Sequence, residues 1–193
     1  MGKDALPEGW EVQKIESALT RLKVGKLYNQ KTALIAGNVP ILDQGKMGII
    51  GYHNNESNII ASSEDRVAIF ANHTCVQRLL DHPFSTIQNV IPYRGNELPT
   101  EWCHYATLGQ QAFEEYKGHW PTFVSKEIVK PNLESATAFA EFVHPLLLRV
   151  SAILQENQTL AEMRDLLLPK LMSGEIRLKD CLLYTSPSPR DRG

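Results

Sequence analysis

Cysteine is scarce here: three residues in 193, of which Cys181 lies in a C-terminal run set apart below. The remaining pair, Cys75 and Cys103, is too small for a disulfide framework and fits a reducing cytoplasm. No stretch approaches ~18 uninterrupted apolar residues, so the sequence itself offers no membrane span. The opening MGKDALPEGW lacks an apolar h-region and does not read as a signal peptide. A charge excess is missing as well: 20 Lys and Arg stand against 22 Asp and Glu, a formal net charge of −2. A sum so near zero argues against a chain that holds polyanions by bulk charge alone.

Catalytic signatures are equally sparse. Gly45, Gly48 and Gly51 are spaced in threes across a predicted strand pair, not placed between a strand and a helix as a phosphate loop requires. H-E-x-x-H and C-x-x-C pairs are absent. His73 and Cys75 lie two apart and Cys103 adjoins His104, an unusual spacing for a four-ligand zinc site, so we expect no metal. A Cys/His nucleophile pair, His73 with Cys103, is formally available, but neither sits in an activated elbow. No Asn/Asp-Pro-Pro-aromatic tetrad marks an adenine methyltransferase, and the carboxylates are scattered.

The last thirteen residues, CLLYTSPSPRDRG, are set aside from fold reasoning. The run CLLYTSPSPRD resembles the read-through translation of a transposase sequencing adapter, and it has no periodicity. Its two Arg and one Asp removed, the remaining chain carries −3. About 180 residues remain, enough for one domain and an appended helix. The division expected is residues 1–131 as a domain, 132–180 as a helical region and 181–193 as an artefactual, disordered tail.

Gly9–Ile15 alternates as a strand. Val39–Leu42 and Met47–Tyr52 are apolar runs joined by Asp43-Gln44-Gly45-Lys46, which predicts strand, turn, strand. Asn58–Ala61 and Arg66–Ala71 repeat the pattern around a Ser62–Asp65 turn, and Thr86–Ile91 is a further strand candidate. Leu98–Tyr116 carries Trp102, Tyr105, Leu108, Ala112 and Tyr116 at helical spacing. Trp120–Val129 reads as a last extended segment before Pro131. Short strands with one or two helices indicate an α+β class, a mixed α/β domain followed by a long C-terminal helical spacer.

Charge is distributed more tellingly than its sum. From Ser17 to Leu42 there is no acidic residue, while Arg21, Lys23, Lys26 and Lys31 all occur. Such a run is commonly a solvated face. Gln44, Lys46, His53, Asn54, Asn55 and Asn58 gather around the predicted strand pair, and His73 and Thr74 follow another strand end. Arg94 and Lys117 are further exposed candidates. Amides, imidazole and cations are the groups that read base edges, Asn or Gln suiting adenine and Arg or Lys guanine. Each also serves as an ordinary turn residue bonding its own backbone.

The most informative stretch is Glu156–Ile176, ENQTLAEMRDLLLPKLMSGEI. Leu146, Val150, Ile153, Leu160, Leu167 and Leu171 recur in alternating steps of four and three, with Asn157 and Arg164 on the same seam. That spacing is a coiled-coil stripe, and polar residues within it fix register or partner. Leu147, Leu154, Ala161, Met163 and Leu168 widen the apolar face. Asn132 or Ser135 can cap the first turn, Pro145 is expected to interrupt, Pro169 to stop or kink, and Gly174 to cap the end. The expectation is two helices, or one kinked helix, from about Leu133 to Leu168. Periodicity alone leaves open whether the face packs on its own domain or on a partner.

This helix resembles the C-terminal conserved helix of the specificity (S) subunit of type I restriction–modification systems. LPEGW at Leu6–Trp10 looks like the first motif of a target recognition domain, and NVPILDQGKMGIIGY at Asn38–Tyr52 with VAIFANHTC at Val67–Cys75 is similar to the body of one subfamily. The resemblance spans roughly residues 6–180. It implies a non-catalytic subunit that reads half of a split double-stranded DNA target and positions adenine methyltransferase and restriction subunits. S-adenosylmethionine, Mg and ATP are then expected on those partners, with no cofactor on this chain. It implies helix pairing through Leu146, Val150, Ile153, Asn157, Leu160, Leu167 and Leu171. DNA contacts do not carry over by position. From the residues themselves the candidates are Lys23, Lys26, Lys31, Gln44, Lys46, His53, Asn54, Asn55, His73 and Arg94. A full S subunit carries two recognition domains, whereas this chain has one and one spacer. It reads either as a half-subunit that dimerises through its helices or as part of a longer protein, with Met1 an internal methionine. Other readings are the recognition portion of a fused restriction–modification enzyme, a coiled-coil interaction protein without DNA affinity, and, more remotely, the His73/Cys103 hydrolase.

Overall fold

Strand β5, Val67–Ala71, is buried along its whole length and organises everything around it. Its side chains alternate between two cores, as the two-residue period of a strand dictates. Ala68 and Phe70 enter one cluster with Ile15, Tyr93, Cys103, Phe123 and Ala136. Val67 and Ile69 enter the other with Leu42, Ile59, Leu80, Phe84 and Val90. A strand apolar on both faces is thus explained by a sheet covered on both sides.

A computed structural model describes residues 6–45, 48–115 and 117–176. Strand β1 (Glu11–Lys14) leads through a single turn, α1 (Ile15–Ala18), into β2 (Leu19–Arg21). Then follow β3 (Val39–Leu42), β4 (Ile49–His53), β5, β6 (Gln77–Leu80), β7 (Ser85–Thr86) and β8 (Val90–Gly95). Helices α2 (Thr100–Thr107) and α3 (Trp120–Ser125), strand β9 (Glu127–Lys130) and helix α4 (Leu133–Met172) complete the order. The strands form three sheets, β1-β9, β2-β8-β5-β6 and β4-β3-β7. Only β3–β7 is parallel among these pairs. The class is α+β, as expected.

The predicted hairpin is present: β3 and β4 pair antiparallel, Asp43 N–H donates to Gly48 O at 3.0 Å, and Gly45 N–H donates to Asp43 Oδ1 at 2.9 Å. The Ser62–Asp65 turn closes by reciprocal backbone bonds of 3.1 and 3.2 Å. Other expectations are corrected. Asn58–Ala61 forms no strand, only an isolated bridge from Ile59 to Phe84. Thr86–Ile91 is not one strand, because Asn89, at φ +68, turns the chain between β7 and β8. The Leu98–Tyr116 helix stops at Thr107, where Leu108 is extended and Gly109 adopts φ +76; Tyr116 itself lies outside the described residues. Trp120–Val129 is helix then strand, because Pro121 in the first turn suits a helix start.

The chain divides into two units, Met1–Pro145 and Leu146–Gly193. In the first unit, Asn132 Oδ1 accepts Ser135 N–H at 2.9 Å, the cap expected at the start of α4. Buried Arg66 donates from Nη1 to Glu101 Oε1 and to His144 Nδ1, both at 3.1 Å. One guanidinium thereby ties the start of β5 to α2 and to the first turns of α4. Pro145 does not interrupt α4, and Pro169 does not stop it. Each proline removes one backbone donor, a loss that neighbouring helix-forming leucines offset. The helix ends at Met172, with Gly174 at φ +75 donating to Leu171 O at 3.2 Å.

In the second unit, Leu146, Val150, Ile153, Leu160, Leu167 and Leu171 are all 37–55 % exposed. An 18-residue window of α4 reaches a mean hydropathy of 1.4 and is 0 % buried. By length and composition alone α4 is apolar enough to cross a membrane, although it holds no run of ~18 uninterrupted apolar residues. That window holds no more than two charged residues. The tail 181–193 lies outside the described residues.

Candidate nucleic-acid interface

The acid-free segment leaves β2 and wraps the first unit on its way to β3. It forms one wall of a groove of about 870 Å3 whose lining includes Arg21, Lys23, Gln88 and Asn89. No carboxylate lines it among the described residues. A second groove of about 600 Å3 shares Leu27, Ile87, Gln88 and Asn89 with the first and adds Gln30, Gln44 and Thr74. Its one acidic lining residue is Asp43, whose Oδ1 already accepts the Gly45 N–H. A third hollow of about 480 Å3 brings Lys26, Asn55 and Asn58 beside Tyr28. Tyr28 also lines the second groove, so the third hollow adjoins it.

Two local devices shape these walls. At the β3–β4 turn, Gln44 Oε1 accepts His73 N–H at 2.8 Å, and Thr74 Oγ1 donates to Gln44 O. The Gln44 amide nitrogen keeps its donors. Arg78 Nη2 donates to Asp43 O at 2.7 Å and braces the turn from below; burial holds its guanidinium below the ordinary value. At the β7–β8 turn, Asn72 N–H donates to Asn89 O at 2.8 Å, and Asn72 Oδ1 accepts Trp120 N–H at 2.8 Å. The turn is pinned while the Gln88 side chain stays exposed.

His53 belongs to the interior. It is 3 % exposed and stacks on Tyr28 with ring centroids 4.1 Å apart. Its Nδ1 accepts Asn55 N–H at 3.1 Å, so the proton sits on Nε2, which donates to Ser85 Oγ at 2.8 Å. Burial, and then the Lys26 charge, hold its pKa below the ordinary value. A neutral imidazole with both nitrogens engaged has no polar atom left for a base edge. Its work is to hold Tyr28, Asn55 and Ser85 in place. Lys26 rests its ammonium 5.3 Å from the Tyr28 ring centroid.

The remaining sequence candidates scatter. Lys23 and Gln44 line the two larger grooves, and Lys26 and Asn55 the third. Lys31 is exposed on a turn held by Asn29 and Thr32. Asn54 Oδ1 accepts Asn38 N–H at 3.1 Å. His73 adjoins the second groove through its bond to Gln44. Arg94 is turned elsewhere: Nη2 donates to Asp65 Oδ2 at 2.8 Å and to Ile60 O at 3.0 Å. Lys117 pairs with Glu115 and Glu114 at 2.9 and 3.3 Å. Lys46 lies outside the described residues. Gln30, Gln88 and Asn89 were not anticipated; reading Thr86–Ile91 as one strand hid the last two, although Gln88-Asn89 is a plausible turn pair.

Catalytic alternatives fare poorly. Cys103 is fully buried, its thiol pushed up to about 12 by burial, and its Sγ donates to Ala18 O at 3.5 Å. A thiol so placed stays protonated and is no nucleophile. Among the described residues no group of three or more His, Cys, Asp or Glu is placed to hold a metal.

No protein-family profile matches the sequence, and no curated protein matches it. Solved structures do. The crystal structure of the type I restriction–modification system S subunit from M. genitalium superposes with a TM-score of 0.65 over 85 % of this chain, at 17 % identity. The fold is that of a type I restriction–modification S subunit. A second chain, from a structural study of assembly and conformational transition in a type I restriction–modification system, matches with a TM-score of 0.54 over 83 % of this chain, at 15 % identity. This chain covers 46 % and 44 % of those two, so it spans a little under half of an S-subunit fold.

Proposed function

We propose that this chain is a sequence-specific DNA-binding specificity subunit of a type I restriction–modification complex, itself non-catalytic. Residues 1–131 read one half of a split double-stranded target. The helical region 132–180 pairs through its apolar seam and docks a modification subunit, which carries S-adenosylmethionine, and a restriction subunit, which uses ATP and Mg. The assembly acts in the cytoplasm. The carrying observation is the S-subunit fold over 85 % of the chain. Support also comes from a groove with no carboxylate among its described lining residues, walled by the one long acid-free segment of the sequence.

The test is co-expression of the chain with a modification subunit from the same genome, followed by mapping of methyladenine. A defined methylated motif that vanishes without this chain is the expected result. A complex that forms yet methylates nothing would remove the reading role. One observation favours a second reading. A net charge of −2 beside a long, exposed apolar helix suits an interaction protein without DNA affinity. Absence of any salt-dependent DNA complex would select it.

A further inference from the structure

The two larger grooves differ in chemistry, and the difference divides the labour of reading. The first has Arg21 and Lys23 on its wall and no acidic residue among its described lining residues. Neither cation is in an ion pair among the described residues. Both are exposed. Free, exposed cations with no acid beside them suit phosphate, which positions a duplex without reading it. The second groove has no Arg or Lys among its described lining residues but has Gln30, Gln44, Gln88 and Asn89. The side chains of Gln30, Gln88 and Asn89 make no hydrogen bond among the described residues. Gln88 and Asn89 line both grooves, at the point where the cationic wall meets the amide wall.

We propose that Gln88 and Gln30 are specificity-determining residues that read adenine in the bound half-site, while Arg21 and Lys23 grip the adjacent phosphates. The inference rests on the DNA-reading role proposed above and deepens it. A carboxamide presents a donor and an acceptor side by side, the complement of the adenine N6/N7 edge; guanine is the partner of Arg or Lys, neither of which is among the described residues of this wall. The turn carrying Gln88 is rigid, since Asn72 N–H donates to Asn89 O and Asn89 holds φ +68. A rigid mount lets an exposed amide discriminate between bases. Neither glutamine packs in a core, so each can be replaced without disturbing the fold.

The experiment is selection of duplexes from a randomised pool by the full chain, then titration of the selected duplex at several salt concentrations. Wild type is expected to enrich a motif containing adenine. Gln88→Ala is expected to lose roughly 5- to 100-fold on that motif and to lose preference at one adenine position. Its salt slope should be unchanged. Gln88→Glu should move the preference at that position from adenine toward cytosine, because a carboxylate accepts from cytosine N4. Lys23→Ala should weaken all duplexes alike and lower the salt slope by about one. A wild-type chain that binds no duplex in a salt-dependent way overturns the DNA-reading role itself. A wild-type chain that enriches a motif which Gln88→Ala and Gln30→Ala enrich unchanged overturns only the assignment of these readers.

Discussion

Single side chains show how differently the same residue type is used in this fold. His53 is held neutral between Tyr28, Asn55 and Ser85, and His104 is 5 % exposed in α2 with burial pushing its pKa from 6.5 down to about 4. Between those two values the unfolded chain binds a proton that the folded chain refuses. The stability His104 confers is therefore present above pH 6.5 and lost as pH falls toward about 4, a change of roughly 3 kcal/mol. His53 is shifted in the same direction and adds to the loss. Thermal melts at pH 7.5 and 4.5 should show a clear fall for wild type and a smaller one for His104→Leu. Equal falls in both would remove His104 as the cause. Gly48 poses a different constraint. It holds φ +78, and a Cβ there would lie 1.2 Å from Arg78 Nη1. Gly48→Ala must either move Arg78 off Asp43 O or strain the turn, so a loss of roughly 1–3 kcal/mol in denaturant titration is expected. An unchanged midpoint would show that the turn accommodates a side chain.

At the scale of elements, what the sequence reveals depends on whether the signal is local. The β3–β4 hairpin was legible because Asp43 and Gly45 supply turn chemistry between two apolar runs. The cap at Asn132 and the stop at Gly174 were legible for the same reason. Helix α2 was overextended because Ala112 continues a helical spacing past Gly109, whose φ of +76 ends the helix whatever the periodicity says. Strand β6 and the pairing of β1 with β9 had no local signature at all; they are set by long-range partners. The groove was half legible. Its cationic wall follows from the acid-free run, but Gln88 meets Arg21 and Gln30 only through the sheet topology. The helical seam yields its own prediction. Leu160 is 54 % exposed, so Leu160→Asp should cost the isolated chain no more than about 0.7 kcal/mol in helix propensity. Placed in a paired seam, the same charge should abolish pairing. Loss of co-purification with a modification subunit, at unchanged circular dichroism, is the expected pattern. Retained co-purification would exclude the seam from docking.

For the molecule as a whole, the question is what covers α4. Burying a leucine or valine side chain is worth about 1.5–3 kcal/mol, and the seam from Leu146 to Leu171 exposes six such residues. These six are 37–55 % exposed, so covering them returns part of that value for each; in the proposed pairing Asn157 and Arg164 would restrict which partner and register fit. Deletion of residues 181–193 is expected to alter neither melting temperature nor DNA affinity, and a drop in either would make them part of the working protein. On the proposed reading, a second copy of the chain is one partner that could complete an S-subunit fold, of which this chain spans 46 % in the M. genitalium subunit; a further stretch of the same polypeptide is another. Copies paired by a two-fold axis carry identical readers, so their target must be a palindrome split by a gap. A different partner breaks that symmetry and yields two unlike half-sites. Sedimentation of the full chain, combined with the methyladenine map, separates the cases. A dimer with a split palindrome would show a half-subunit that pairs with its own copy. A monomer whose complex methylates an asymmetric motif would show that the seam is covered by another chain carrying its own reader.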